Sequence, residues 1–389
     1  MPFSQSSPSA IRRLALAQAI SFAGGTSAYV ALTSAIYART GSAVWVAAVA
    51  AVSFALPSLI SPIAGALGDR YDRRAVMVYS DLLGTVCFVA LAFCSAPLAL
   101  LGVKAVAAIV AAPFLPAAAA AVPRMVPSKQ LPHANSTVTA WGTAGTLVGP
   151  LLGGSGAALV GASWVFTANA ITFAISALLV ATLRGNFKPS GDRHREHRGL
   201  GAGLRFLVRD PLLRPVTIGF ALLFVGIGMT LPAEIVRARE FGVGANGYGL
   251  MIAVWAAGGL AGAQLAGRLL RSRTAASTLP IATAGLIAGF VLAGVAPWFG
   301  ALLLGLVAGG LAEGVVEVAH QLLLQRRTPD QVLSRAFAGN TAVEQLALSV
   351  PLLYSGLLVN ALGAGAVYCL AAGVCAVGLL FLVKLAFLR

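Results

Sequence analysis

The chain has 389 residues, of which 58% are hydrophobic and only 10% charged, with a formal net charge of +15. Water-soluble domains carry about 25% charged residues and stop enlarging a single core near about 250–300 residues, so lipid must be the solvent for most of these side chains. Arg and Lys fall in short clusters between long apolar runs and not along one basic face, which excludes a nucleic-acid binder and matches the cytoplasmic loops of a helical membrane protein.

A membrane-crossing helix needs about 20 apolar residues. Such stretches are predicted at 14–38, 43–65, 76–96, 98–122, 135–158, 163–184, 212–234, 247–270, 278–297, 299–324, 336–360 and 363–387. The first is longer than a signal-peptide core and is expected to remain as a membrane helix. With Arg12 and Arg13 in the cytoplasm, 23 basic residues fall on the inner side, and Arg39, Lys104, Arg237 and Arg239 on the outer. An even number of spans with both termini cytoplasmic follows from that asymmetry. Cys87, Cys94, Cys369 and Cys375 lie in apolar runs without metal or redox spacing and are expected to act as small hydrophobes.

After the second span comes Gly65-Ala-Leu-Gly68-Asp69-Arg70-Tyr-Asp72-Arg73-Arg74. It resembles the major facilitator signature G-x-L-[AG]-D-[RK]-x-G-[RK]-[RK], with Asp72 in place of the family's usual Gly. The resemblance implies twelve transmembrane helices in two six-helix bundles, an all-α polytopic fold. It also implies a conformational gate at Gly65, Asp69, Arg70, Arg73 and Arg74, in which Gly65 allows close helix approach and Asp69 pairs with nearby arginine. Asp81 follows in span three and is expected to pair with cytoplasmic arginines, with proton coupling as its other reading. In span four Lys104 is the only charge, and the basic motif of the drug antiporters is not clean there.

Span five carries Gly145-Thr-Leu-Val-Gly149-Pro150-Leu-Leu-Gly153-Gly154. Small residues at i, i+4 and i+8 give a flat helix face for close packing, and Pro150 permits a bend. The run resembles the antiporter motif GxxxGPxxGG, which implies an exporter.

The segment from Gly185 to Pro215 is the one long polar interruption. It is expected to be a cytoplasmic linker between an N-terminal bundle at 1–184 and a C-terminal bundle at 216–389. His194 and His197 lack a third ligand nearby, so no metal site is expected. Leu204, Phe206, Leu207 and Leu212 alternate with Arg205, Arg209 and Arg214, a pattern suited to a short amphipathic helix on the inner leaflet. Gly203 to Arg214, and Gln325 to Arg335, resemble the macrolide-efflux and siderophore-exporter branch. The halves echo each other: Gly65–Arg73 is matched by Ala263–Arg271, 198 residues on, and Pro127–Leu131 by Pro329–Leu333. The GxGxxG at Gly242–Gly247 follows a membrane helix and is read as a turn, and no phosphate-binding loop is present.

In the last spans, Glu313, Glu317 and His320 share one helix face, and Glu344 follows Asn340 by one turn. Carboxyl groups at membrane depth are functional by default. Glu313, Glu317 and Glu344 are expected to load and release protons as access alternates, while His320 is read as a polar residue at the cytoplasmic end. Gln18, Tyr29, Trp141, Trp255 and Asn340 are the candidates for the substrate cavity, with Asn169 and Gln264 further polar residues in spans. The reading as a whole is a monomeric, multi-pass inner-membrane transporter that exports amphipathic small molecules, of drug or siderophore type, in exchange for protons. No cofactor is expected. The rivals are a lipid or lysolipid transporter of the same fold and a receptor or enzyme on a transporter-like scaffold; no nucleophile–base set supports an enzyme.

Overall fold

The computed structural model describes residues 8–127, 130–185, 187–188 and 200–387, and among them every regular element is helical. The charge run with His194 and His197, which was read as a linker, lies outside the described residues.

The first half of the chain forms α1 (Pro8–Thr40), α2 (Ala43–Ala50), α3 (Leu56–Arg70), α4 (Arg73–Phe93), α5 (Pro97–Ala111), α6 (Phe114–Ala121), α7 (Leu131–Leu159) and α8 (Ala162–Ala181). The second half forms α9 (Leu200–Arg209), α10 (Leu213–Glu240), α11 (Gly244–Ser272), α12 (Ala275–Val295), α13 (Phe299–Arg327), α14 (Asp330–Ser349), α15 (Ser355–Leu362) and α16 (Ala364–Phe387). Among the described residues ten helices are long and apolar enough to cross a membrane, and the bent pair α14–α15, with 44° between its parts, makes an eleventh. The twelfth expected span corresponds to α7, whose 29 residues reach about 43 Å at 1.5 Å per residue. Its small and hydroxylated residues make it less apolar than the others. Large side chains such as Phe93 and Leu159 stand 86% and 81% exposed, as lipid-facing residues do.

Contacts divide the chain into two compact units. The first holds Met1–Gly41, Val52–Asp192 and Gly244–Leu250; the second holds Ser42–Ala51, Arg193–Val243 and Met251–Arg389. In the first, α1 packs on α7 and α8, and α4 on α8; in the second, α10 packs on α14 and α16, and α12 on α16. The two wirings are the same. The duplication is also written in the chain breaks. Gly41 and Gly242 turn with positive φ 201 residues apart, and Gly161 and Gly363 do so 202 apart. Glycine meets no Cβ penalty in that conformation, so it holds these tight ends between spans. Asp72 caps α4 by accepting from Ala75 N at 3.1 Å, and Thr274, at the equivalent place, caps α12 by accepting from Ser277 N at 3.3 Å. The structural register is therefore about 202 residues, and the Gly65/Ala263 match at 198 is displaced from it by one helical turn.

The helix expected on the inner leaflet is α9. Its Leu207 is fully buried against Leu213, Leu324 and Ala336, so this residue docks on the protein. Leu204 and Val208 remain exposed.

Candidate functional site

The glycine run of α7 lies along α1. A β-carbon at Gly145 would strike the backbone of Ala19, one at Gly149 that of Ala23, and one at Gly153 that of Ser27. The four-residue steps on the two helices are in register, so backbone meets backbone over two turns. Ser27 Oγ donates to Gly149 O at 2.7 Å across the crossing. Gly154 faces the start of α11, where an added β-carbon would stand 2.5 Å from Ala245 O, and one at Gly249 would come closer still to Pro150 O. Pro150 stands inside α7, which runs unbroken from Leu131 to Leu159. Ser27 and Gly249 were not singled out from sequence, and the only signal for Gly249 was its place in a Gly-x-Gly pair.

In the signature loop, Asp72 takes the family's glycine position because it is the cap of α4. Arg73 is buried and donates through Nη1 to Ala120 O at 2.8 Å, and Arg74 donates to Leu183 O at 2.8 Å. These bonds fasten α4 to the end of α6 and the segment after α8. Arg70 lies 5.8 Å from the Tyr71 ring centre. Gly65 has no atom within 4 Å of an added β-carbon, so in this conformation it does not serve a close approach. Asp81 is fully buried beside Ser176, and the expected pairing with Arg74 is replaced by the Leu183 bond. The local preference for a carbonyl at the end of α8 wins over a carboxylate farther along α4.

In the second unit α13 is held between α11 and α12 by glycines. An added β-carbon at Gly258 would be 2.7 Å from Val307 O, and one at Gly289 would be 2.7 Å from Gly309 Cα. Small residues spaced by four, here Gly258/Gly262 and Gly310/Gly314, permit such approach and were not singled out from sequence. Trp255 lies over Gly309, stacks on Phe290 with centroids 5.6 Å apart, and has its indole beside the Glu313 carboxyl. Glu317 accepts from Gln321 Nε2 at 2.6 Å, and Glu344 accepts from buried Asn340 Nδ2 at 2.6 Å. Glu313, expected to act as a pair with Glu317 one turn on, lies beside the Trp255 indole, while Glu317 also faces His320 and Glu344 at the α13–α14 junction.

Of the remaining cavity candidates, Gln18 is buried near Gly142, Tyr29 packs edge-on to Phe54 at 5.3 Å, and Trp141 is about half exposed. Asn169 is buried and bonded by Thr172 Oγ1 at 3.0 Å, a packing role, and Gln264 is exposed.

The sequence profile of the Major Facilitator Superfamily matches residues 14–237 and 216–389. The chain is 29% identical over 343 residues to the multidrug efflux pump Tap of Mycolicibacterium fortuitum, covering 83% of this chain and 82% of Tap. It is 25% identical over 284 residues to the enterobactin exporter EntS of Salmonella choleraesuis, covering 70% and 67%. Its fold superposes on a crystal structure of the nucleoside transporter NupG with a TM-score of 0.79, at 15% identity, over 97% of this chain and 98% of that one.

Proposed function

Given that the chain belongs to the Major Facilitator Superfamily and is a multi-pass membrane transporter, we propose that it exports amphipathic small molecules, of drug or siderophore type, across the cytoplasmic membrane by proton-coupled alternating access. The observation that carries this reading is the glycine run Gly145–Gly154 seated on the backbone of α1, the motif that the resemblance ties to exporters. The names of Tap and EntS, both export proteins, support the direction of transport.

Glu313 is the proton carrier in this reading. It sits midway along α13, fourteen residues from Phe299 and as many from Arg327, hence about 21 Å from each end. A carboxyl group at that depth, beside the Trp255 indole, can exchange a proton as access alternates. Proton binding and substrate binding then favour different conformations, and coupling is the difference between their affinities for the two states. Arg70, Arg73 and Arg74 belong to the gate, with Arg73 and Arg74 bracing α4 while the conformation changes.

Expression in a strain stripped of its own efflux pumps should raise tolerance to some members of a panel of amphipathic antibiotics, dyes and siderophores. Inverted vesicles should accumulate the same compounds when a proton gradient is imposed. Unchanged tolerance together with gradient-independent movement of lysolipid would replace this reading with a lipid transporter.

A further inference from the structure

Glu317 and His320 lie on α13 and Glu344 on α14, and one donor atom from each lies within 4.8 Å of the other two. His320 is only 2% exposed, and its ring stacks on Phe220 of α10 with centroids 3.6 Å apart. That stacking aims Nδ1 at Glu344 Oε1, 3.7 Å away, where it makes no hydrogen bond. A buried polar atom left without a partner is unfavourable. The separation is too long for a hydrogen bond but near that of two ligands on one ion, since donors about 2.1 Å from a tetrahedral zinc stand about 3.4 Å apart. Asn340 donates to Glu344 Oε1, the oxygen nearest His320, and Gln321 to Glu317 Oε1, and these bonds fix the direction of each carboxylate, as outer-shell partners do around metals. The proton step proposed above runs through Glu313; Glu317 and Glu344, expected from sequence to share it, face His320 instead.

We propose that Glu317, His320 and Glu344 bind a first-row divalent transition-metal ion, with Zn2+ the best match. One imidazole with two carboxylates is a mixed nitrogen and oxygen set, which suits zinc better than the all-oxygen preference of Mg2+ or Ca2+. The ion would join α13 to α14 and offset two carboxylates at membrane depth, where unpaired charge is expensive. His320 was read from sequence as an end-of-helix polar residue because its partner Glu344 lies on another helix, 24 residues away.

The test uses the purified full-length protein in detergent, dialysed against Zn2+ or Mg2+, with bound metal counted and the melting temperature recorded. One tight Zn2+ per chain is expected, with affinity at least ten-fold lower in His320→Ala and in Glu344→Gln. Zn2+ should raise the melting temperature of the parent and not of these variants. If His320→Ala does not fold, Glu344→Asp keeps the charge, withdraws the carboxylate by one methylene and should weaken binding in the same way. Equal Zn2+ affinity in parent and variants, no saturable binding, or Mg2+ bound as tightly as Zn2+ overturns the assignment. Because transport is not the readout, a silent compound panel leaves this result standing.

Discussion

A β-carbon at Gly149 would stand 2.5 Å from Ala23 O and 3.1 Å from Ala23 Cα, distances that only backbone movement can relieve. Overpacking of this kind costs about 1–3 kcal/mol per added group. The interhelical bond from Ser27, by comparison, contributes about 1 kcal/mol. Steric exclusion is therefore the larger effect. Gly149→Leu should abolish export while the protein still inserts, Gly149→Ala should reduce it, and Ser27→Ala should leave most of it. Vesicle accumulation normalised to membrane protein checks the order; full activity in Gly149→Leu would make the motif mere filler. Glu313 gives a different kind of prediction. Glu313→Gln keeps the shape and the Trp255 contact but cannot exchange a proton. Accumulation driven by a pH gradient should fall at least ten-fold while gradient-free exchange survives. Gradient-driven accumulation at the parent level would move the proton to another carboxyl, with Asp81 and Glu344 next. Loss of exchange as well would put Glu313 in the substrate site.

The junction of α9 with α10 shows how an element is held. Asp210 Oδ1 accepts from Leu212 N at 2.9 Å and Leu213 N at 3.0 Å, while Oδ2 meets Arg327 Nε at 3.2 Å. Burial pushes the Asp210 carboxyl up, but the two N–H bonds and the Arg327 guanidinium together bring it below its ordinary 3.8. A lowered carboxyl contributes stability that is present above its unfolded pKa and lost only as pH falls through the folded one. The junction should thus be insensitive to pH between about 5 and 8 and loosen only below about 4. Arg327 is half exposed, so its ion pair is worth little, whereas a helix cap is worth about 0.5–2 kcal/mol. Asp210→Ala should speed proteolysis at α9 several-fold, and Asp210→Asn, which keeps the cap, should barely change it; equal effects would make the ion pair dominant. The cap was not legible beforehand, because a sequence pattern of alternating leucine and arginine gives amphipathicity and not the identity of the apolar surface. Leu207 found Leu324 and Ala336, from spans more than a hundred residues away. The spans themselves were legible, since lipid imposes one length and one polarity on every crossing helix.

For the whole molecule, the legible part is what repetition and charge write redundantly, and the illegible part is what only two distant segments create. Gly41 with Gly242, Gly161 with Gly363, and Asp72 with Thr274 repeat a turn or a cap in each half, so each half corroborates the other. Glu317, His320 and Glu344 have no such echo, and their meeting depends on how α14 crosses α13. Orientation belongs to the redundant class. The inner-side count of 23 basic residues against 4 spreads over the N-terminus, the loops and the linker, so no single arginine decides it. The few outer ones include Arg237, which donates to Gly294 O at 3.1 Å, Ala296 O at 2.9 Å and Glu240 at 2.7 Å. A guanidinium so occupied is a packed structural part and weighs little as a topological signal. Both termini and the segment from Gly185 to Pro215 should therefore face the cytoplasm. Alkaline phosphatase fused within that segment should be inactive and a fluorescent reporter there bright, with the opposite result for fusions at Gly41 and Gly161. Replacing Arg70, Arg73 and Arg74 together by Gln should leave this topology intact, since twenty inner-side basic residues remain. Phosphatase activity from the linker would invert the molecule and put the signature loop on the outer face.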